Sequence, residues 1–428
     1  MKIFISIKRS AMLLATSALF FTACNKLELE PTPAEPAAPV TGTTIAAMLD
    51  DPSFSLLKAA VVRVGLASTL ADTSLRFTVF APDDSAIMKS LGVPSIAVAA
   101  GYLASLPDAS VAGLVSYHII PQSVKTSSIP QAFPNFGYPT ILNPSIGTPD
   151  YNPFVRLSNY PSKRGSIVWV NNIPVIAPDI AAANGTVHKI ARVLFPPSRY
   201  LWNKIDTDTS LSFLKAAILR ADSGTVIDPA VLNTNILQSV LSKFGPDLTV
   251  FAPTNAAFRA VLYAQSYPLI YQQIYNITYQ AAIGAGAPPA LAATIATDTA
   301  TVKAPPTTTA LTSTPAFFQN PLFYGALPAQ SVKGIVVYHV LGKRAFGVNF
   351  PATATSFPTL LNGVVASHPG VSITATFTGP SVTGLTVKGV RNAAANVLIN
   401  PLPDPLGTSD QNFANGNLHK IDQVLLPQ

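Results

Sequence analysis

Asn184-Gly185-Thr186-Val187-His188-Lys189-Ile190-Ala191-Arg192-Val193-Leu194-Phe195-Pro196 occurs again 231 residues later, as Asn415-Gly416-Asn417-Leu418-His419-Lys420-Ile421-Asp422-Gln423-Val424-Leu425-Leu426-Pro427. Eight of the thirteen positions are identical. Solenoid and propeller units repeat every ~20–50 residues, so a period this long marks a duplicated domain. Three further matches run collinear with it. Ser210 to Arg220 repeats Ser53 to Arg63 at an offset of 157, and Leu248 to Phe258 repeats Phe77 to Ile87 at 171. Val337-Tyr338-His339-Val340 repeats Ser116-Tyr117-His118-Ile119 at 221. Because the offset grows in steps, the second copy carries insertions, the largest of about fifty residues between Phe258 and Ser331.

Local patterns give the shared elements their expected structure. Phe54, Leu57, Val61 and Val64 recur at helical spacing, with cap chemistry in Asp51-Pro52-Ser53 and a stop at Gly65. Phe77 to Pro82 is a β-branched and aromatic run closed by proline, which reads as a strand. Asp83-Asp84-Ser85 then offers an N-cap for a helix through Leu91, and a further helix is expected around Val111 to His118. Ser166 to Val170, Asn171-Asn172 and Ile173 to Ile176 read as a hairpin, and the repeated signature closes the unit as a strand.

The chain has 428 residues, of which 48% are hydrophobic and 11% charged, against a usual charged share of about 25%. With 39 prolines stiffening its loops, it reads as an exported, β-rich protein. The first 23 residues have the layout of a secretory signal: Lys2, Lys8 and Arg9 precede an apolar run from Ala11 to Phe21 that is too short to span a bilayer permanently. Removing those three cations from the 27 basic residues leaves 24 against 20 acidic ones, a balance of +4. No basic run marks a phosphate stripe, so nucleic acid is not an expected partner.

The one cysteine, Cys24, follows the apolar run in Phe21-Thr22-Ala23-Cys24, which resembles the lipobox of bacterial lipoproteins, where the Cys is acylated. Residues 24–40 then read as a tether, with Pro31, Pro33, Pro36 and Pro39 favouring extended chain. Glu28 and Glu30 resemble the acidic residues that direct export in lipoproteins of the Bacteroidetes type. The address expected from these features is a cell envelope, with the chain lipid-anchored to the outer membrane on its periplasmic face or at the cell surface. No internal disulfide is available to the folded part.

Thr249-Val250-Phe251-Ala252-Pro253-Thr254-Asn255-Ala256-Ala257-Phe258, the Tyr117-His118 and Tyr338-His339 pairs, and the two closing signatures resemble, in order and twice over, the motifs of fasciclin-type domains. The first copy departs from the opening motif, with Asp83-Asp84 for Thr-Asn and Ile87 for Phe, and Leu418 replaces Val in the second closing motif. The resemblance covers nearly everything from residue 41 on except the insertion. It implies an α+β fold of two fasciclin-type domains, 41–198 and 199–428, each a β-sandwich or wedge with several packed helices, the second interrupted at about 263–330. It also implies adhesion or binding of a protein or polysaccharide outside the inner membrane, without cofactors.

Candidate partner-binding residues follow from two sources. In animal matrix members of the family, a Pro-Asp-Ile segment and the Tyr-His region have been linked to receptor binding; here these are Pro178-Asp179-Ile180, Tyr117-His118 and Tyr338-His339. The favoured reading of Asp179 and Ile180 from the residues alone is a turn residue followed by a core aliphatic, and Asp410-Gln411-Asn412-Phe413 fills the corresponding place in the second copy. Within the insertion, Tyr263, Tyr267, Tyr271, Tyr275 and Tyr279 recur every fourth residue. On a helix they form either an aromatic ledge for a sugar or protein, or a half-buried inward stripe. Pro268 places the first two ahead of that helix, and the Ala/Thr/Pro-rich Ala281 to Pro315 reads as an exposed irregular excursion.

Enzyme signatures are missing. The five histidines show no metal-ligand spacing; four sit at duplicated motif positions as buried residues satisfied by backbone, and His368 reads as part of a solvated turn. There is no nucleophile elbow, phosphate loop or suggestive carboxylate cluster, so a non-catalytic scaffold is expected.

Overall fold

A computed structural model describes residues 42–131, 133, 135–145, 152–223, 237–325, 327–391, 393–400 and 407–428. Its strands are β1 (Phe77–Pro82), β2 (Ile119–Ile120), β3 (Tyr138–Pro139), β4 (Ser158–Asn159), β5 (Pro161–Arg164), β6 (Ile167–Val170), β7 (Ile173–Ala182) and β8 (Gly185–Ile190) in the first copy. The second copy has β9 (Leu248–Pro253), β10 (Val340–Leu341), β11 (Thr355–Phe357), β12 (Val371–Thr378), β13 (Ser381–Lys388), β14 (Ala395–Asn396), β15 (Gln411–Phe413) and β16 (Gly416–Ile421). The first copy forms a sheet in the order β2-β1-β8-β7-β6-β5. The second divides the same path between β10-β9-β16-β15 and β11-β12-β13-β14. The fold is α+β.

The closing signature pairs in parallel with the opening motif in both copies, and in one register. Phe77 faces Gly185 and Pro82 faces Ile190, while Leu248 faces Gly416 and Pro253 faces Ile421. Several residues of the duplicated motifs have a visible task in this arrangement. Gly185 has φ +151° and a side chain there would meet the Phe77 carbonyl oxygen at 1.9 Å; Gly416 has φ +155° and would meet the Leu248 oxygen at 2.3 Å. Only glycine lets the strands approach so closely. The preceding asparagine is buried and ties in the first helix of its copy. Asn184 accepts from the Ile45 amide at 2.9 Å and donates to the Leu70 and Asp72 carbonyls. Asn415 does the same with the Leu201 amide and the Leu241 carbonyl, both at 2.9 Å.

The opening motif is equally legible. Asp83 and Thr254 cap the helices that follow them, accepting from the amides of Ala86 and Ala257. The next residue reaches instead to an earlier helix: Asp84 accepts from Leu56 N and Ser55 Oγ, and Asn255 accepts from Phe213 N. Thr78 and Thr249 bridge β1 and β9 to the chain beyond the Tyr-His pair through paired 2.7 Å bonds.

β1 and β9 are buried on both faces, with helices on one side and the remaining strands on the other. In the first copy Phe77, Val79 and Ala81 join the helical core with Leu57, Val61 and Val115, while Phe80 joins Ile120, Val170 and Ile190. The amphipathic helix expected after Asp51 spans Ser55–Arg63, its counterpart spans Ser212–Asp222, and the hairpin turns at Asn171-Asn172 between β6 and β7.

Three expectations are corrected. The stretch read as irregular between Ala281 and Pro315 contains a regular helix, Pro289–Thr312, packed against the helix Asn255–Gly284. Ala292, Ala296, Ala300, Ala304, Thr308 and Thr312 are buried at every fourth position, a small-residue stripe that lets two helices approach. Threonine hydroxyls bond the carbonyl four residues back, as Thr297 to Ala293 and Thr308 to Ala304 do, so the polar groups stay satisfied. Second, Asn255–Gly284 runs straight through Pro268, so Tyr263 and Tyr267 lie on the helix and not ahead of it. Pro268 and Ala264 are both exposed, so the carbonyl that loses its donor faces water. Together these helices make the chain richer in helix than its composition suggested. Third, His368 is half-buried rather than a free solvated turn residue: its ring bonds the Pro427 carbonyl at 2.8 Å and Gly370 N at 3.0 Å, and stands edge-on to Tyr338.

Candidate functional site

The two Tyr-His pairs lie inside the molecule, at the ends of the helices Asp108–Tyr117 and Ala329–Tyr338. His118 Nδ1 bonds the Leu114 carbonyl at 2.8 Å and its Nε2 accepts from Leu194 N at 3.0 Å. His339 repeats both bonds with Ile335 and Leu425, each at 2.8 Å. Burial pulls both imidazoles down to about 4 from the ordinary 6.5, against the opposing effect of the carbonyl bonds. Tyr338 gives its hydroxyl proton to the Gly370 carbonyl, and burial raises its pKa and that of Tyr117. With their rings covered and their polar atoms paired, Tyr117, His118, Tyr338 and His339 present no surface to a partner. The contact role implied for them is therefore corrected to a structural one.

Asp179 sits in a bulge of β7 with φ +57°, and its amide donates to His188 Nδ1 at 3.1 Å. Its carboxylate accepts from Thr126 N at 2.8 Å and from the Thr126 hydroxyl. Partial burial works to raise its pKa, but the Thr126 bonds prevail and hold it below the usual carboxylate range. Ile180 packs against the helical core. Asp410 is the counterpart in the second copy: φ +51°, amide to His419 Nδ1 at 3.2 Å, carboxylate accepting from Gly347 N at 2.7 Å. Continuing the 231-residue offset of the closing signature from Asp179 lands on Asp410, so this equivalence was readable although Pro-Asp-Ile had become Ser-Asp-Gln.

The five tyrosines are all half-buried and divide into two groups. Tyr267 and Tyr271 pack against the core of the second copy, and Tyr263 stacks on Tyr267 at 5.8 Å. Tyr275 and Tyr279 stack on each other at 6.0 Å, beyond Ile270, the last buried residue of the helix. Around them Leu269, Ile277, Leu291, Ile295 and Val302 are exposed, and between Tyr263 and Gln330 the charged residues are Asp298 and Lys303.

A seam joins the two copies, which belong to one unit over residues 43–428. Arg344, 4% exposed, pairs with Asp247, donates to Asn412 Oδ1 and lies over the Tyr160 ring at 4.7 Å. Asn412 Nδ2 donates to the Tyr117 hydroxyl at 3.2 Å. Trp169 donates to the Pro380 carbonyl at 2.8 Å, and Arg164 donates to the Phe350 carbonyl while covering the Phe377 ring. Arg344 and Arg164 carry no sequence signal, because a lone buried Arg looks like any surface Arg until its neighbours are known. Beside the seam lies a cleft of about 380 Å³, whose walls include Asn172, Arg192, Arg199, Lys204 and Asp208.

Among the described residues no group of His, Cys, Asp or Glu is placed to hold a metal ion. No single described helix is long and apolar enough to cross a membrane. Cys24, the signal segment and the tether lie outside the described residues.

The family model of the Fasciclin domain matches residues 52–196. The transforming growth factor-beta-induced protein ig-h3 of Sus scrofa is 29% identical over 187 residues, 42% of this chain and 23% of that protein. This chain thus spans less than a quarter of that relative's length. A solved FAS1 domain pair from the insect cell adhesion molecule Fasciclin I aligns with 88% of this chain and 98% of its own, at 15% identity and a TM-score of 0.30. The Fasciclin-domain match falls on the first copy, and the second copy repeats that copy's central strand pairings.

Proposed function

We propose, for a chain that carries a Fasciclin domain, a non-catalytic binding role in a cell envelope: recognition of an extracellular or envelope macromolecule from a lipid anchor on Cys24, at the outer membrane. The observation that carries this reading is the division of labour in the chain. The Asn, Tyr and His residues of the shared motifs are buried and paired, whereas the tyrosine helix, without charge beyond Arg259, and its partner extend past the core with rings half-buried and aliphatics exposed. Tyrosine supplies large contact area at low conformational cost, which suits an interface. Shortening the helical pair to a tight turn between Ile270 and Ala304 should abolish attachment of the protein to its cellular or matrix surface while leaving the chain folded. Retained attachment would remove this surface from consideration. Cys24→Ser should release the protein from membranes, and unchanged membrane retention would refute the anchor.

A second reading is favoured by the stacked Tyr275–Tyr279 pair: a glycan-binding accessory lipoprotein of an outer-membrane polysaccharide uptake system. Flat rings held in register suit the apolar faces of sugars. It predicts saturable binding on a polysaccharide panel, weakened by Tyr271→Ala and Tyr275→Ala; indifference to both substitutions would refute it.

A further inference from the structure

The cleft beside the seam is built differently from the tyrosine surface. At about 380 Å³ it falls within the ~300–1,000 Å³ typical of small-molecule sites. Buried Leu194, Phe346 and Phe413 contribute apolar lining, and polar groups stand around them. Both carboxylates at the cleft are already occupied. Asp208 receives Lys204 at 3.0 Å, Lys420 at 2.7 Å and both Ser210 donors, and Asp410 receives the Gly347 amide. The cations are not matched in the same way. Arg192 gives one N–H to the Lys89 carbonyl at 2.7 Å, and the Arg199 side chain has no partner among the described residues. The Asn172 amide, at the hairpin turn, is likewise unpaired. What the cleft offers is therefore an excess of donors and of positive charge over an apolar floor.

We infer that this cleft binds the carboxylate-bearing end of an acidic saccharide, with Arg199 and Arg192 receiving the carboxylate and Asn172 a ring hydroxyl. Guanidinium groups match carboxylates with two parallel bonds, and an apolar floor suits the C–H face of a pyranose. Neither interaction involves the tyrosine helix, so the site stands or fails independently of the macromolecular surface proposed above.

The test is calorimetric titration of the full chain with a short oligouronate, a neutral oligosaccharide of equal length, a sulfated oligosaccharide and acetate. The oligouronate should bind saturably, more tightly than the other three, and more weakly as ionic strength rises. Arg199→Gln should weaken it about tenfold and Arg192→Gln/Arg199→Gln abolish it, with Arg199→Lys intermediate. Unchanged unfolding midpoints would show these variants to be folded, as expected for an exposed side chain. Tyr275→Ala should leave this binding untouched. Equal affinity for the neutral sugar, equal affinity for acetate, tighter binding of the sulfated sugar, or indifference to the double substitution would each overturn the inference. Loss of surface attachment in the shortened-helix variant with oligouronate binding intact would separate the two sites.

Discussion

Acid should weaken this protein through its two buried Tyr-His histidines before its carboxylates titrate. His118 and His339 are covered, each accepts an amide proton on one nitrogen, and each has its pKa lowered to about 4 from 6.5. The sign follows from which state binds protons. Between pH 6.5 and 4 the unfolded chain protonates these imidazoles and the folded chain does not, so stability is complete above the unfolded pKa and falls as pH drops toward the folded one. At 1.36 kcal/mol per pKa unit, moving from pH 7 to pH 5 removes about 2 kcal/mol for each histidine, about 4 in all. His188, whose pKa burial also lowers, adds in the same direction. Urea unfolding of the full chain at pH 7, 6 and 5 reads this directly, and the slope near pH 5 should approach two protons per molecule. Replacing His118 by Asn costs stability at every pH, which by itself proves nothing. What it must also do is remove about one of those protons from the slope. A stability that changes by less than about 1 kcal/mol between pH 7 and 5, or a slope unaltered in the variant, would refute the buried neutral imidazoles.

Other outcomes follow from packing. Gly185→Ala and Gly416→Ala should each cost about 3 kcal/mol or prevent folding, because the added carbon lands within 1.9 Å and 2.3 Å of a backbone carbonyl; Gly379→Ala, with φ +58° and open space, should cost only about 1 kcal/mol, and equal costs in a denaturant titration would contradict the steric account. Arg344→Met leaves Asn412 Oδ1 without its donor and should cost about 2–3 kcal/mol, splitting thermal unfolding into two transitions as the copies uncouple; a single unshifted transition would contradict the seam. Asn184→Ala strips the Ile45 amide and the Leu70 and Asp72 carbonyls of their partner, for an expected loss of about 3 kcal/mol by chemical denaturation, whereas Asn172→Ala should be neutral.

Much of the fold was legible because its determinants are local or repeated. An Asn-Gly that must hold a helix and admit a neighbouring strand leaves the same letters in both copies, and the caps at Asp83 and Thr254 announce their helices. The helix at Pro289–Thr312 was missed because Ala, Thr and Pro read as low complexity, yet the every-fourth-residue stripe from Ala292 to Thr312 was already written there. Pro268 misled for a related reason: a proline on the solvent side of a long helix removes a bond that water can replace. The seam was illegible in principle. Arg344, Asn412 and Asp247 come from distant stretches, and only their meeting under the Tyr160 ring gives them meaning.

That contrast bears on where function can reside. Duplication leaves two copies free to diverge wherever folding does not require a given residue. Asn184, Gly185 and His188 have matching partners in Asn415, Gly416 and His419; the Asn and His side chains are buried and each glycine abuts a neighbouring carbonyl, so their identity is explained by packing and hydrogen bonding alone. Arg199, Asn172 and the tyrosine series have no such counterparts: Asn172 falls at a hairpin turn, Arg199 in the connection between copies, and the tyrosines in an insertion the first copy lacks. Surfaces present once in a molecule built twice are where a ligand distinguishes one half from the other, and both proposed binding surfaces are of that kind. The two faces proposed to bind, a tyrosine helix without charge beyond Arg259 on one copy and a cationic cleft at the junction, do not repeat.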